Sequence, residues 1–280
     1  MTRTIAEKRA AFRELHKQGC FILPNPWDVG SARFLQGLGF PALATSSAGF
    51  AWTTGHADNG ITLEMALAHI HDIVQATDLP VNADFENGFA ADAAGVGDNV
   101  RRAIRTGVAG ISIEDSTAHA EQPLFPIEAA VERLRAARQA IDETGSGALL
   151  VGRAENFFVG RPDLADAVAR IEAYADAGAD CLYAPGISKP EEIAAVVAAA
   201  GGKPVNLLIG SNSALTMAQI EGLGIRRVSI GGGLARAAWG GFMQAATALA
   251  QGRLDGFGEQ ANGKQLNAFF RSFGEDPVWT

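Results

Sequence analysis

Short apolar runs alternate along the chain with longer segments in which apolar residues recur at helical spacing. The apolar runs are typical of buried strands: CFIL (20–23), ALAT (42–45), PVNAD (80–84), GISIE (110–114), ALLVGRA (148–154), CLYA (181–184), PVNLL (204–208) and RVSI (227–230). Helical patterns follow them, at 30–38, 63–77, 95–106, 127–144, 162–177, 191–200, 214–223 and 234–250. Strands that alternate with helices favour parallel pairing. Eight such units in about 250 residues predict an α/β fold, a (β/α)8 barrel of the TIM type.

Two segments lie outside this repeat. Residues 4–18 carry apolar positions among charges at roughly helical spacing, which predicts an N-terminal helix that caps the barrel. The tail, residues 256–280, is predicted to be helical and to pack on the barrel or on a neighbouring subunit. Its large apolar residues are Leu266, Phe269, Phe270, Phe273 and Trp279. No break in composition marks a linker, so residues 1–280 are predicted to form a single domain.

The composition narrows the classes of partner. The chain has 31 acidic and 23 basic residues and a net charge of -8, which argues against a nucleic-acid surface and against binding to an anionic membrane. Its two cysteines, Cys20 and Cys181, lie in apolar stretches and indicate a reducing compartment. No apolar run reaches the roughly 20 residues of a membrane span, and the charged N-terminus is unlike a signal peptide. We therefore expect a soluble cytoplasmic protein whose partner is a small molecule.

The stretch PVNADFENG (80–88) carries the clearest indication of chemistry. Asp84 and Glu86 are separated by one residue, so in a strand both carboxylates point to the same side, just where the strand ends. Such a pair suits Mg2+, which takes oxygen ligands and is usually held by one or two carboxylates together with waters and substrate. The alternative is a solvated loop with two ordinary acids.

Further polar residues cluster at the C-terminal ends of the predicted strands, where the active sites of such barrels lie. Glu114 and Asp115 follow the fourth strand, and several carboxylates around one mouth repel each other unless a cation intervenes. Arg153 ends a run that is otherwise apolar. It predicts a clamp for a carboxylate or phosphate, an ion pair with Glu155 or Glu114, or both.

Three other positions leave alternatives open. Ser46 and Ser47 follow the second strand and could donate hydrogen bonds to a substrate anion or satisfy the local backbone. Asn206, in the seventh strand, is a candidate for substrate binding. The run SIGGG (229–233) could cradle a phosphate, but the absence of a clear glycine-rich partner loop after the seventh strand favours a tight turn.

Four motifs together resemble the isocitrate lyase / phosphoenolpyruvate mutase superfamily: TSSAGFAWTTGHAD (45–58), VNADFENGF (81–89), GVAGISIED (107–115) and VGRAENFFVG (151–160). The resemblance covers about 25–240 and is specific in combination, although each motif alone is weak. It implies a barrel that depends on Mg2+, with Mn2+ as a substitute, and that acts on 2-oxo or 2-hydroxy acids through an enolpyruvate-like intermediate. It also implies a homodimer or homotetramer, because this family exchanges a terminal helix between subunits.

The resemblance implies a metal site built from four acids. Asp84 matches the acid that binds Mg2+ most directly. Asp58, Glu86 and Glu114 match acids that hold the waters of the metal. Glu86 stands where the family often has Asp, and the longer side chain can still reach a water.

The resemblance also implies a substrate site. Thr45, Ser46 and Ser47 match the loop that hydrogen-bonds the 2-oxo acid, and Arg153 matches the arginine that clamps its carboxylate. These assignments agree with the positions of all four residues at the ends of predicted strands.

The segment after the fourth strand departs from the best-known branches of the family. Isocitrate and methylisocitrate lyases resemble one another in a KKCGH-like segment whose cysteine is the acid/base, whereas residues 115–126 read DSTAHAEQPLFP and contain neither Cys nor Lys. The Lys and Asn that follow the ED pair in the mutase branch are also missing. The sequence therefore points to the phosphonomutase-like proteins of the remaining branches, which include oxaloacetate decarboxylases, phosphonopyruvate hydrolases and lyases of substituted malates. Tyr183 and His119 are the candidates for the missing acid/base.

These expectations combine into a Mg2+-dependent carbon–carbon lyase that cleaves an oxaloacetate-like acid or a substituted malate. Arg153 would neutralise the C1 carboxylate of the substrate. Loss of CO2 needs no base from the protein, which suits a segment 115–126 without Cys or Lys. Two alternatives stay open: P–C bond chemistry on phosphonopyruvate, and a barrel that binds a 2-oxo acid without turning it over.

Overall fold

Eight parallel strands form one nearly closed barrel in the computed structural model, which describes residues 3–273. The strands are β1 (Phe21–Leu23), β2 (Leu43–Ala44), β3 (Val81–Asp84), β4 (Gly110–Glu114), β5 (Leu149–Arg153), β6 (Cys181–Tyr183), β7 (Val205–Leu208) and β8 (Arg227–Ser229). Neighbours pair in the order β1-β8-β7-β6-β5-β4-β3-β2. Across the remaining gap, Ala44 N donates to Pro24 O at 3.0 Å and joins the end of β1 to β2. The predicted (β/α)8 barrel is confirmed.

Helices surround the barrel and connect its strands. They are α1 (Ile5–Leu15), α2 (Val29–Gly37), α3 (Ser47–Thr53), α4 (Leu63–Ala76), α5 (Ala93–Arg105), α6 (Ile127–Glu143), α7 (Leu164–Asp176), α8 (Pro190–Ala199), α9 (Met217–Gly222), α10 (Gly233–Ala250) and α11 (Gly263–Arg271). Among the described helices, α3 had no counterpart in the sequence pattern. It begins because the Ser46 hydroxyl accepts the Gly49 N–H at 3.1 Å, a local cap that apolar periodicity does not reveal. None of the described helices is both long and apolar enough to cross a bilayer.

The first helix closes the N-terminal end of the barrel, as the sequence predicted. A capping box starts it: the Thr4 hydroxyl accepts the Glu7 N–H, and the Glu7 carboxylate accepts the Thr4 N–H. Phe12 is fully buried and packs with residues that begin the neighbouring strands, including Ala109 and Leu149. The opposite end of the barrel is therefore the end left for a ligand.

The described part of the tail contacts the barrel of the same chain. The Phe269 ring of α11 lies 5.1 Å from the Phe34 ring of α2. Gly37 makes room for this contact, since a Cβ at that position would lie 2.5 Å from Phe269. Packing of the tail on a neighbouring subunit stays a prediction, and residues 274–280 with Trp279 lie outside the described residues.

His16, just after α1, is buried beneath the barrel interior. Its Nδ1–H donates to the Phe12 carbonyl at 2.7 Å, so its Nε2 lone pair faces Arg227 Nη1 at 3.4 Å. Burial, followed by the positive charge of Arg227, lowers the pKa of His16 to about 3. The folded protein therefore keeps this imidazole neutral, because protonated Nε2 would confront a guanidinium.

This arrangement predicts acid sensitivity. In the unfolded state His16 has an ordinary histidine pKa near 6.5. Below that pH the unfolded state binds a proton at His16 that the folded state does not bind, so the free energy of unfolding decreases as pH falls towards 3. Replacing His16→Gln should remove this loss: between pH 7.5 and pH 5 the wild type should lose about 2 kcal/mol more unfolding free energy than the variant, at about 1.4 kcal/mol per pH unit.

Urea unfolding of both proteins at several pH values measures the difference. His71→Gln, on an exposed position of α4, is the matched control and should follow the wild type. Parallel pH profiles for His16→Gln and the wild type would contradict the neutral assignment.

Candidate active site

A cavity of about 260 Å3 opens at the C-terminal ends of the strands. Seven of the residues singled out in the sequence line it: Thr45, Ser46, Ser47, Asp58, Asp84, Arg153 and Tyr183. They reach it from the loops after β2 and from the ends of β3, β5 and β6. The position agrees with the rule that such barrels place their chemistry at this end.

Arg153, the last residue of β5, lies among carboxylates from three neighbouring strands. Its Nη1 is 2.6 Å from Asp84 Oδ1, and its Nη2 is 3.0 Å from Glu114 Oε2 and 2.9 Å from Glu155 Oε1. Burial acts to lower the pKa of Arg153, but Glu114, Glu155 and Asp84 outweigh it and raise that pKa. The ion pair that the sequence offered as one reading of Arg153 is present, and Arg153 also faces the cavity.

The loop after β2 is fastened to Asp84. Asp84 Oδ2 accepts from Ser47 N at 2.9 Å and from Ser47 Oγ at 2.8 Å, and Asp84 N donates to Thr45 Oγ1 at 2.8 Å. Ser46 caps α3 and so satisfies the local backbone. Of the two roles that the sequence left open for this loop, Ser46 takes the satisfaction of the backbone. Ser47 donates to Asp84, and donation from this loop to a substrate anion stays a prediction.

Negative charge at the mouth exceeds what Arg153 can balance. Glu86 is 6% exposed, its Oε1 has no partner among the described residues, and burial, then Asp84 and Asp58, raise its pKa to about 8. Burial also raises the pKa of Glu114, only partly offset by Arg153. Partial burial of the Asp58 carboxyl, and then the negative charge of Asp84, raise the pKa of Asp58 as well.

The backbone of Glu86 is held in an unfavourable conformation. Its φ of 44° lies in the left-handed region that non-glycine residues seldom adopt. Glu86 thus destabilises the fold in two ways, through an unpaired buried carboxylate oxygen and through a strained backbone. Features of this kind cluster at functional sites.

These observations fit a divalent cation beside Asp84. Within residues 3–273, no group of three or more His, Cys, Asp or Glu side chains is placed to hold a metal ion directly. Mg2+ does not need one, because it commonly binds through one or two carboxylates and keeps its waters. Asp84 would hold the ion, and the unpartnered Glu86 oxygen, together with Asp58 and Glu114, would accept hydrogen bonds from its waters.

Two of the sequence candidates lie away from the cavity. Asn206 is fully buried in β7 and reaches the site through two lining residues: its Nδ2 donates to Ser229 Oγ at 2.9 Å, and its Oδ1 accepts from Arg227 Nε at 2.8 Å. His119 is exposed in the hairpin of segment 115–126 and lines a different cavity, next to Asn87. Tyr183, in contrast, lines the central cavity, with its ring 5.2 Å from Arg153 Cζ.

A second layer of charged residues supports the cluster from behind. Asp115 Oδ1 accepts from Glu155 N at 2.8 Å, and Asp115 Oδ2 accepts from Arg170 Nη1 at 2.8 Å and from the Tyr174 hydroxyl at 2.5 Å. Arg170 also donates to Phe125 O at 2.9 Å. This network connects β4, β5 and α7 to the end of segment 115–126.

Asn25 was a candidate at the end of the first predicted strand without an assigned role, and other cavity residues escaped the sequence reasoning altogether. Asn25 joins three loops, since its Oδ1 accepts from Ile230 N and Gly231 N at 2.9 Å each and its Nδ2 donates to Thr45 O at 2.9 Å. Arg236 in α10 and Arg227 in β8 also line the cavity. The signal for Arg227 was present: a charged residue opens a strand, RVSI, that must face the barrel core.

Comparison with known proteins shows what the chain resembles. Residues 12–250 match the model of the phosphoenolpyruvate phosphomutase family. A solved structure from Burkholderia cenocepacia J2315, provisionally described as a lyase/mutase, is 46% identical with a TM-score of 0.91, over 95% of this chain and 97% of that one. The structure of 2,3-dimethylmalate lyase, a member of the PEP mutase/isocitrate lyase superfamily, is 25% identical with a TM-score of 0.80, over 96% and 95%. Oxaloacetate decarboxylase from Paraburkholderia xenovorans is 28% identical over 68% of this chain and 64% of its own length.

The excess of carboxylates predicts that Mg2+ stabilises the fold. A ligand that binds only the folded state raises the melting temperature, and the rise grows with the logarithm of the ligand concentration once that exceeds Kd. Mg2+ should therefore raise the melting temperature of the wild type, and Asp84→Asn, which keeps the shape but removes the charge, should abolish most of that rise.

Calorimetry with and without Mg2+ measures the shift. Asp176→Asn, the same change at an exposed position of α7, should shift as the wild type does. An equal shift in Asp84→Asn would place the cation elsewhere.

Proposed function

The chain belongs to the phosphoenolpyruvate phosphomutase family, within the superfamily of lyases and mutases that includes isocitrate lyase, and on this premise we propose that it is a Mg2+-dependent carbon–carbon lyase of a small 2-oxo dicarboxylate. The proposed reaction is the decarboxylation of oxaloacetate or a close analogue. The C3–C4 bond breaks and CO2 leaves. The electron pair of that bond stays on the remaining fragment as an enolate, which takes up a proton at C3. The similarity to an oxaloacetate decarboxylase supports this choice.

The side chains that face the cavity favour decarboxylation over cleavage of a hydroxy acid. None of the described residues that line it is His, Cys or Lys, and Asp84 is engaged by Arg153 and Ser47. Cleavage of a substituted malate requires a base that removes the hydroxyl proton, whereas loss of CO2 from a 2-oxo acid requires none. The absence of His, Cys and Lys among the described lining residues, whose two carboxylates Asp58 and Asp84 are the ones assigned to the cation, is the observation that carries the proposal.

Two arginines at the cavity suit a substrate with two carboxylates. Arg153 would neutralise the C1 carboxylate, with Ser47 as a neighbouring donor, because a planar guanidinium binds a carboxylate through two parallel hydrogen bonds. Arg236, in the first turn of α10, lines the same cavity beside Gly231 and Gly232 and is available for the second carboxylate. A divalent cation beside Asp84 would supply Lewis-acid stabilisation of the negative charge on the enolate.

The assay compares three substrates in the presence of Mg2+. Oxaloacetate should yield pyruvate and CO2, while 2,3-dimethylmalate should be cleaved slowly or not at all. Phosphate release from phosphonopyruvate would instead favour P–C chemistry. Since free Mg2+ also promotes oxaloacetate decarboxylation, the rate with Asp84→Asn at equal concentration is the background. If none of the three substrates turns over above that background but one of them raises the melting temperature, the result would favour a binding protein.

Arg153→Lys should be severe although it keeps the charge. A lysine ammonium cannot form the paired hydrogen bonds of a guanidinium, nor contact Asp84, Glu114 and Glu155 together. We expect kcat/KM for oxaloacetate to fall by about 100-fold or more, on the order of the 3 kcal/mol carried by a buried charged contact. Steady-state kinetics measure the loss.

Arg135→Lys, the same replacement at an exposed position of α6, is the control and should keep wild-type kinetics. Near-normal kcat/KM in Arg153→Lys would remove the clamp role from Arg153.

We also propose that the protein forms a homodimer or homotetramer. The support is the apolar surface of α10, where large side chains are exposed in the described chain: Trp239, Phe242, Met243 and Leu249. Exposed apolar patches of this kind usually mark interfaces. Light scattering on the purified protein measures the mass.

A further inference from the structure

Buried polar side chains form a chain of hydrogen bonds beneath the cavity that ends at Tyr183. Arg227 Nε donates to Asn206 Oδ1 at 2.8 Å, and Asn206 Nδ2 donates to Ser229 Oγ at 2.9 Å. Ser229 Oγ lies 3.3 Å from Tyr183 Oη. All four residues are at most 8% exposed. Arg227, Ser229 and Tyr183 all line the cavity, so the chain runs along its floor from Arg227 to Tyr183.

The direction of each hydrogen bond follows from the donors available. A guanidinium can only donate, so the oxygen of Asn206 faces Arg227 and its amide nitrogen faces Ser229. Ser229 Oγ accepts from Asn206 and has its own proton left for Tyr183 Oη. With its oxygen accepting from Ser229, Tyr183 turns its O–H away from the chain. Among the described residues no acceptor takes that proton, so it is left to point into the cavity.

Burial of Arg227 costs more free energy than a purely structural position requires. It is 2% exposed and forms no salt bridge within residues 3–273. Its Nε donates to Asn206, and its Nη1 faces the neutral His16 and, at 3.5 Å, Asn82. A buried unpaired charge costs free energy that an apolar side chain of similar size would not. In return, a charged donor strengthens and orients the hydrogen bonds that follow it.

We propose that Tyr183 is the proton donor of this enzyme, and that Arg227 and Asn206 are positioning residues that aim its hydroxyl at C3 of the enolate. This rests on the proposed function and names the step that the lining residues otherwise leave without a donor. The ring of Tyr183 is held in place by Arg153, whose Cζ lies 5.2 Å from its centre.

The proposed step balances without any further reactant. The Tyr183 O–H bond breaks while the electron pair of the enolate forms the new C3–H bond and the C2 carbonyl is restored. The tyrosinate regains its proton from water. Burial raises the pKa of Tyr183 to about 12, so the hydroxyl carries its proton at neutral pH.

The test separates delivery of the proton from cleavage of the C–C bond. CO2 release from oxaloacetate reports cleavage, and exchange of the C3 hydrogens of pyruvate for deuterium in D2O reports proton transfer, both with Mg2+. Tyr183→Phe should lower exchange by about 100-fold or more but CO2 release by less than about tenfold, because general acid–base catalysis commonly contributes 10²–10⁴ to the step it serves.

Asn206→Asp tests the positioning role at constant shape. The carboxylate still accepts from Arg227 but cannot donate to Ser229, so the Ser229 proton turns towards residue 206 and no longer towards Tyr183. The variant should show the same selective loss of exchange. Asn267→Asp, the same change at an exposed position of α11, is the control and should behave as the wild type. If Asn206→Asp does not fold, Ser229→Ala removes the same link with a smaller change.

Each outcome decides the matter. Wild-type exchange in Tyr183→Phe overturns the donor role, and equal losses of both activities in Asn206→Asp reduce the chain to a structural one. If the wild type exchanges but does not decarboxylate, and Tyr183→Phe loses the exchange, the proposed function is refuted while Tyr183 remains the donor. If the wild type decarboxylates and exchange is unchanged in Tyr183→Phe, the proposed function stands and the donor role of Tyr183 is refuted. A wild type with neither activity would overturn both.

Discussion

A single buried guanidinium organises the mouth of this barrel. Arg153 binds the carboxylates of Asp84, Glu114 and Glu155, which come from β3, β4 and the residues after β5. Buried ion pairs are poor sources of stability, because desolvation of the charges offsets much of their attraction. The main effect of the cluster is therefore to position its side chains, not to stabilise the fold. It holds Asp84 where the loop after β2 can bind it and leaves more negative charge than one arginine can balance.

The barrel supplies the geometry for this cluster through its backbone. Glu114 and Arg153 are register partners in β4 and β5, and Arg153 is in turn the partner of Tyr183 in β6. Residues at the same level of adjacent parallel strands are about 5 Å apart, so side chains that start there meet without any special loop. The second layer around Asp115 and Arg170 then ties the cluster to the segment that borders the site.

Two buried arginines serve opposite purposes in the same interior. Arg153 lies among acids, whereas Arg227 has neutral partners, and both line the cavity. Even His16 is kept neutral beside Arg227. Hydrogen bonds that start at His16, just after the helix that closes one end of the barrel, thus pass through Arg227 and end at Tyr183, which lines the cavity at the other end.

The amino-acid sequence determined the architecture and the identity of the charged cluster. Apolar runs that alternate with helical patterns are a local property, so all eight strands were found, and the acids at strand ends, Asp84 and Glu114, could be read as one site because parallel strands end together. The sequence missed α3, which depends on one hydroxyl cap, and the roles of Asn25, Arg227 and Arg236. Only the tertiary structure decided which side chains meet: it turned His119 out of the cavity, placed Asn206 behind Ser229 and aimed Arg227 at Asn206 and His16. Such contacts join residues up to 211 positions apart, and their directions depend on rotamers and packing that no local pattern specifies.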